Sequence, residues 1–357
     1  MPSADGQKIL RAIEALDVGR VNLMEVCGTH TMAIAKAGIR SMLPENIRLL
    51  SGPGCPVCVT PCESIDAILA LAMRQDVIIA TYGDMVRVPG STPGDSLARR
   101  RALGAKVEVV YSPMDALEIA VRSPDREVVF LGVGFETTAP GTAVAAKVAC
   151  ERGIGNFSIW SMLKTVEPAL RALIAMDDFN VQGFLCPGHV ATVTGANGFG
   201  FLPEYYGIPA VVSGFEPEDI LLSVYMLLRQ IKDGEAKLEN EYTRAVSDKG
   251  NTIAMGMISE CFETFDDNWR GLGKIKSGGL RFREKYASVD AVKRFSDIDV
   301  PASKPTPCRC GDVITARISP QECPLFGKRC VPEDPVGPCM VSSEGACAAA
   351  YKYSFLF

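Results

Sequence analysis

The sequence contains no run of about 18 or more apolar residues, the length a membrane-crossing helix needs. Its polar start, MPSADGQK, carries no signal-peptide pattern, so a soluble, cytoplasmic protein is expected. A basic run or face is missing too: 37 Lys and Arg stand against 42 Asp and Glu, a net charge of -5. That balance argues against a nucleic-acid partner. Histidine is scarce, with only His30 and His189, and both fall in glycine-containing segments just after apolar stretches. Two out of two at predicted strand ends favours function over a structural role.

Cysteine, by contrast, is plentiful: 13 in 357 residues, six of them in the last 50. In a reducing compartment a structural disulfide framework is not expected, so clustered cysteines point to metal binding or redox work. The length exceeds what one core usually organises, and 47% hydrophobic residues suffice for two or three domains.

The stretch Leu49 to Glu63, LLSGPGCPVCVTPCE, organises the rest. An apolar run stops at Ser51, turns through Gly52-Pro53-Gly54, presents Cys55 and Cys58 at CxxC spacing, and leads into a predicted amphipathic helix from about Glu63 to Met73. Thiols at a first helical turn sit near the positive end of the macrodipole, which favours thiolate. Redox chemistry, half of a zinc site and a pair of buried thiols are all compatible with this spacing.

Residues 4 to 17 read as a short helix, and Val21 to Val26 as a buried strand running into Cys27-Gly28-Thr29-His30 at the head of a helix. Open α/β sheets place ligands at such strand ends. Cys27 and His30, one helical turn apart, could face one late first-row metal ion, and a capped helix start with a buried thiol is the alternative. Ile47 to Leu50, Asp76 to Thr81 and Lys106 to Tyr111 look like further strands separated by helix-length segments, which implies a parallel, doubly wound sheet. Tyr82 to Asp95 reads as a functional loop.

A second α/β block is expected to open at Glu127. Its strand Glu127 to Leu131 leads into Gly132-Val133-Gly134-Phe135-Glu136-Thr137-Thr138, where Glu136 could hold a phosphate, cap a helix or ligate a metal. This is no dinucleotide fingerprint, and no P-loop occurs. Phe157 to Met162, Val181 to Leu185 and Pro209 to Ser213 are strands, with Pro187-Gly188-His189 exposed after the second. A long helix runs from Glu216 to Ile231, and DGEAKLENEY reads as a solvated helix or linker. Residues 250 to 300 suggest irregular, glycine-turned segments and carry no assignable chemistry.

From Cys308 the chain offers Cys308, Cys310, Cys323, Cys330, Cys339 and Cys347 among prolines, with no histidine. All-sulfur ligation suits an iron-sulfur cluster or a four-thiolate zinc site, and the absence of two CxxC knuckles favours the cluster. A [4Fe-4S] cluster uses four thiolates, leaving two as a candidate dithiol couple. Cys62, Cys150, Cys186 and Cys261 read as small buried hydrophobes.

Together, Glu25 to Thr31, Gly52 to Cys58, Gly134 to Thr138, Pro187 to His189 and the tail ending Cys339-Met340-Val341-Ser342-Ser343-Glu344-Gly345-Ala346-Cys347 resemble the HypD family across essentially the whole chain. These proteins help build the Fe(CN)2CO part of [NiFe]-hydrogenase. The resemblance implies an α/β fold of two Rossmann-like, doubly wound parallel-sheet domains, residues 20–122 and 123–235. It adds a small irregular iron-sulfur domain from residues 1–19 with 236–357. It implies a stable complex with HypC, iron held between the two proteins, and transient docking of HypE, which delivers cyanide as a protein thiocyanate. Carried onto this chain, Cys27 resembles the iron-holding thiol with His30 beside it, and Cys55 and Cys58 resemble a redox pair. Cys308, Cys323, Cys330 and Cys347 resemble the cluster ligands, which leaves Cys310 and Cys339 as a second pair. Glu136 and His189 complete the candidate residues. The function implied is a metallocentre-assembly scaffold with a thiol and [4Fe-4S] redox relay, rather than a stand-alone enzyme. A stand-alone iron-sulfur thiol-disulfide oxidoreductase acting on a small molecule is the rival, and a structural zinc protein a third reading.

Overall fold

The computed structural model describes residues 3–300 and 302–353. The outermost residues of the expected third domain, 1–2 and 354–357, and residue 301 lie outside that description. Eleven strands are formed among the described residues, in chain order. They are β1 Val21–Glu25, β2 Ile47–Ser51, β3 Val77–Thr81, β4 Lys106–Val109, β5 Glu127–Gly134 and β6 Phe157–Leu163, followed by β7 Gly183–Pro187, β8 Ala210–Ser213, β9 Leu238–Asn240, β10 Phe262–Trp269 and β11 Gly273–Phe282.

They make two parallel sheets, β2-β1-β7-β8-β9 and β4-β3-β5-β6, and one antiparallel hairpin, β10-β11. The reason is visible in the residues. β3 reads Val-Ile-Ile-Ala-Thr and is buried at every position, as a strand covered by helices on both faces must be. The helix Pro217–Asp233 that covers the first sheet starts with reciprocal capping between Glu216 and Asp219 and stops at Gly234, whose φ of 67° only glycine adopts cheaply.

The mixed α/β architecture with parallel sheets agrees with the sequence. Strand pairing, however, groups the chain differently from the contiguous division at 122/123. The first sheet takes β1 and β2 from the amino-terminal segment and β7 and β8 from the next, while β3 and β4 pair with β5 and β6. The chain leaves the first sheet after β2 and returns only at β7. The amino-terminal helix Ala4–Glu14 packs on the helix Pro217–Asp233, and Ile13 shares a core with Val21, Leu23 and Ile47, so this end of the chain belongs with the first sheet rather than with the tail. The expected linker after residue 233 contains β9, which extends the same sheet. Residues 250 to 300 are also more regular than their glycines suggest: a helix, Thr252–Cys261, feeds the hairpin, whose Phe262, Leu280 and Phe282 pack beside Phe157 and Ile159 of β6. Among the described residues no helix is long and apolar enough to cross a membrane.

In each sheet the order reverses direction once, between β1 and β7 and between β3 and β5. Crevices at such switch points, beyond the carboxyl ends of the strands, are where open α/β sheets bind ligands. Cys27 follows β1, the CxxC follows β2, His189 follows β7, and Glu136 follows β5. The cysteine-rich tail lies across these ends.

Candidate thiol and metal centre

Cys27, two residues after β1, is the N-cap of the helix Gly28–Ala37, which Gly38 ends in the left-handed region at φ 68°. Behind it stands Glu25, fully buried: Oε2 accepts the Cys27 N–H at 3.1 Å and Oε1 accepts the Thr31 hydroxyl at 2.6 Å. Burial pushes the Glu25 carboxyl up to about 7, against these hydrogen bonds and the Arg40 charge. Cys27 is a buried thiol at a helix start, one of the two readings its spacing left open. Burial raises it to about 12, and the Glu344 and Glu25 carboxylates add to the rise against backbone N–H groups that lower it. Desolvation outweighs the dipole of one helix end.

The CxxC loop is fastened directly to this one. Gly28 N–H donates to Gly54 O at 2.9 Å, and Gly52 N–H donates to Glu25 O at 2.8 Å. Cys55 and Cys58 form a disulfide across the short helix Pro56–Val59, with Cys58 N–H donating to Cys55 Sγ at 3.1 Å. The tail closes over both loops. Ser342 Oγ lies 3.3 Å from Cys55 Sγ, the Thr29 hydroxyl donates to Glu344 Oε1 at 3.2 Å, and a Cβ at Gly28 would stand 2.3 Å from that of Glu344. Asp84, after β3, accepts from Ser343 N–H and Ser343 Oγ, both at 2.7 Å, and ties the same segment to the second sheet.

Both histidines converge on one ring. His30, completely buried, stacks on Phe215 with centroids 4.6 Å apart, and the exposed His189 stacks on Phe215 at 3.9 Å. His30 Nε2 lies 2.8 Å from Gly214 O, while Nδ1 is buried without a partner. Burial lowers His30 to about 4, keeping it neutral. Glu136 sits apart, on the second sheet. Its Oε1 accepts Val166 N–H at 2.9 Å, its Oε2 is buried without a partner, and burial raises it to about 7. The CxxC helix packs on β5, the strand that Glu136 follows.

The six tail thiols share one neighbourhood. Cys310 N–H donates to Cys308 Sγ and Cys347 N–H to Cys339 Sγ, both at 3.3 Å, and the Cys310 and Cys339 thiols face each other closely enough to interact. Cys308, Cys310, Cys323, Cys330 and Cys347 line a single small cavity of about 20 Å³, while Cys339 stands behind it, fully buried. Gly337 permits this approach, since a Cβ there would lie 2.1 Å from Cys308 Sγ. Cys308 is pushed well above the ordinary thiol range, first by its bond to Cys310 and then by burial. Crowded buried thiols that resist ionisation one by one lose their protons readily to a metal cation. Among the described residues no three His, Cys, Asp or Glu are grouped so as to hold a metal ion. A cluster asks for something else, one thiolate for each iron corner around a space, and the lining of this cavity fits that demand.

Of the remaining cysteines, Cys186 and Cys261 are buried in cores, as expected. Cys150 is exposed, 3.6 Å from Ser288 Oγ, and Cys62 is half-buried and accepts a hydrogen bond from Arg270 Nη1 at 3.1 Å, so neither is the buried hydrophobe its spacing suggested. Glu25, Asp84, Phe215, Arg270, Ser342 and Glu344 join the site without having been singled out. Glu25 and Glu344 lie inside the motifs, but Arg270 and Asp84 act through partners far away in sequence.

A family profile described as "Hydrogenase formation hypA family" matches residues 5–354. A protein of Rhizobium leguminosarum bv. viciae, named hydrogenase maturation factor HypD, is 47% identical over 355 residues, covering 97% of this chain and 92% of its own. The namesake in Rhodobacter capsulatus is 45% identical over 338 residues, covering 93% and 89%, and that of Escherichia coli K12 is 44% identical over 334 residues, with the same shares. With its motif loops gathered under one cysteine-rich tail and this similarity running nearly end to end, the chain belongs to the HypD family of hydrogenase maturation factors.

Proposed function

We propose that this protein works as a scaffold and thiol relay in assembling the Fe(CN)2CO moiety of [NiFe]-hydrogenase. Cys27 holds the iron cargo in a complex with HypC, and HypE docks transiently with its thiocyanate. The observation that carries this reading is the tail segment Ser342 to Glu344, which touches Cys55 with one residue and packs on Gly28 and Thr29 with another, while its flanking Cys339 and Cys347 reach the remaining tail thiols. The cysteines from both ends of the chain are thereby contiguous.

Cys308, Cys323, Cys330 and Cys347 are the residues that would hold a [4Fe-4S] cluster, and Cys310 and Cys339 are the thiols in mutual contact that remain. When bound, the cluster would supply single electrons beside that pair. The Cys310/Cys339 dithiol gives two electrons and two protons to the Cys55–Cys58 disulfide and is left as a disulfide itself. The regenerated Cys55/Cys58 dithiol then reduces the HypE thiocyanate: two electrons and one proton release cyanide to the iron and restore the HypE thiol, and the second proton goes to solvent. Glu25 and Thr31 hold the Cys27 backbone in place, and the tail keeps water away from it.

The test is a pull-down with HypC followed by infrared spectroscopy. Cyanide and carbonyl bands are expected for the native complex and none for Cys27→Ala; retained bands remove Cys27 from the iron. The double variant Cys55→Ala/Cys58→Ala is expected to keep visible cluster absorption and lose maturation. Normal hydrogenase activity in that variant rejects the relay.

A further inference from the structure

Opening a disulfide by thiol exchange leaves sulfur anions that must find protons, and in a buried site desolvation makes a lingering thiolate costly. The two sulfurs of the CxxC pair are provided for unequally. Cys55 Sγ accepts the Cys58 N–H at 3.1 Å and lies 3.3 Å from Ser342 Oγ. Cys58 is wholly buried, and among the described residues no hydrogen bond reaches its Sγ. Cys55 is therefore the sulfur equipped to leave, and Cys58 the one to be attacked.

Ser342 joins this buried sulfur to a carboxylate nearer the surface. Its side chain is buried, its Oγ accepts the Glu344 N–H at 3.2 Å, and it lies 3.2 Å from Asp84 Oδ2. Asp84 is half-buried, and its Oδ2 also accepts from the N–H and hydroxyl of the exposed Ser343. Cys55 Sγ, Ser342 Oγ and Asp84 Oδ2 thus form one continuous chain from the disulfide outward. A serine hydroxyl has one proton to give and two lone pairs to offer. While the pair is oxidised, Cys55 carries no hydrogen, and the Ser342 proton serves either the sulfur or the carboxylate. Once Cys55 is a thiol, its S–H and the Glu344 N–H fill both lone pairs of Oγ, and the hydroxyl donates to Asp84. The chain is completed only in the reduced state.

We propose that Ser342 and Asp84 carry the proton that Cys55 takes up when the CxxC disulfide is reduced. Ser342 is the catalytic donor, and Asp84 is a positioning residue that aims the hydroxyl and resupplies it from solvent. A thiolate of the reductant attacks Cys58 Sγ; a bond forms there, and the Cys55–Cys58 bond breaks with its electron pair left on Cys55. That sulfur takes the Ser342 proton, and Oγ takes one passed from solvent through Asp84. The second thiol of the reductant gives its proton to solvent and displaces Cys58, which is protonated in turn. The reductant ends as a disulfide, and the pair has gained two electrons and two protons. The inference rests on the proposed relay only for which thiols reduce the pair inside the protein.

The experiment uses the full chain with the pair oxidised and excess dithiothreitol as the dithiol. Opening of Cys55–Cys58 is followed by acid quench, alkylation and mass spectrometry. Ser342→Ala and Asp84→Asn are each expected to slow opening at least tenfold, while Ser342→Thr and Asp84→Glu, which keep the hydroxyl and the carboxyl, stay within about threefold of wild type. Asp84→Asn still offers an oxygen to Ser343 N–H, so native proteolysis of the tail is expected beside the slow opening. Wild-type rates in folded Ser342→Ala and Asp84→Asn overturn the proposal. Slow Ser342→Thr and Asp84→Glu proteins also overturn it, by assigning the effect to packing, and faster opening in Ser342→Ala does so by showing that the tail only shields the disulfide. Should Asp84→Asn not fold, the alanine and threonine variants of Ser342 decide alone. Because dithiothreitol supplies the electrons, the result is independent of the relay, which fails separately if Cys310→Ala/Cys339→Ala protein still matures hydrogenase normally.

Discussion

Gly54→Ala is the substitution that most directly probes whether the CxxC and Cys27 loops must touch. A Cβ at Gly54 would stand 2.2 Å from Cys27 N and 2.4 Å from Val26 C, where ordinary contact begins at 3.4 Å. Both neighbours are backbone, so no side chain can swing aside and the loops must part by about an ångström. That movement breaks the 2.9 Å bond from Gly28 N–H to Gly54 O. Overpacking of this kind costs about 1–3 kcal/mol and a lost buried hydrogen bond about 1 kcal/mol more. We expect a destabilisation of roughly 2–4 kcal/mol, read as a lowered denaturation midpoint, together with loss of hydrogenase maturation. Gly155→Ala, where a Cβ meets nothing within 4 Å, is the control and is expected to change neither. A Gly54→Ala protein with native midpoint and native maturation would refute the claim that the two thiol loops are held in contact.

Other consequences follow from the same geometry. Glu25 and Glu136 are both raised to about 7 by burial, so their contribution to stability is complete below the ordinary carboxylate range and is lost as pH rises through about 7. Chemical denaturation between about pH 5 and about pH 8 should therefore show falling stability, and Glu136→Gln should flatten the fall by at most about 3 kcal/mol; an unchanged slope contradicts the burial assignment. His30, lowered to about 4, acts oppositely: its contribution is present above its ordinary range and is lost as pH falls through about 4, so His30→Phe should weaken the acid limb of the same curve. Asp84→Ala removes the acceptor for Ser343 N–H and Oγ and should cost about 1–3 kcal/mol, with faster proteolysis confined to the tail; uniform cleavage along the chain would show that Asp84 does not anchor it.

Much of this was legible because local chemistry decides it. Val77 to Thr81 could only be a buried strand, and glycine turns after apolar runs correctly marked the strand ends where Cys27, Cys55 and His189 stand. What was hidden is what depends on distant pairing. β1 pairs with β7, a partnership marked by Asn22 N–H donating to Gln182 Oε1 across 160 positions, and nothing in either segment announces it. β9 has no strand-forming signal of its own in Leu-Glu-Asn, and its extended form comes from the free edge of β8. The contacts of Arg270 were invisible for the same reason, because its acceptors lie some 210 positions away at Thr60 and Cys62.

The burial of Cys27 carries the most weight for mechanism. A thiol built to attack as a free nucleophile is kept near ambient pH by cationic neighbours. Cys27 instead sits between two acidic groups, Glu25 and Glu344, and is pushed to about 12 chiefly by burial. The same arrangement reads differently for a cation. A metal ion reverses the local electrostatics: buried carboxylates that oppose a bare thiolate stabilise the positive charge that draws the proton from the sulfur. A buried thiol whose ionisation is opposed by burial and by two neighbouring carboxylates fits the proposed iron-holding role of Cys27 better than unassisted thiol catalysis.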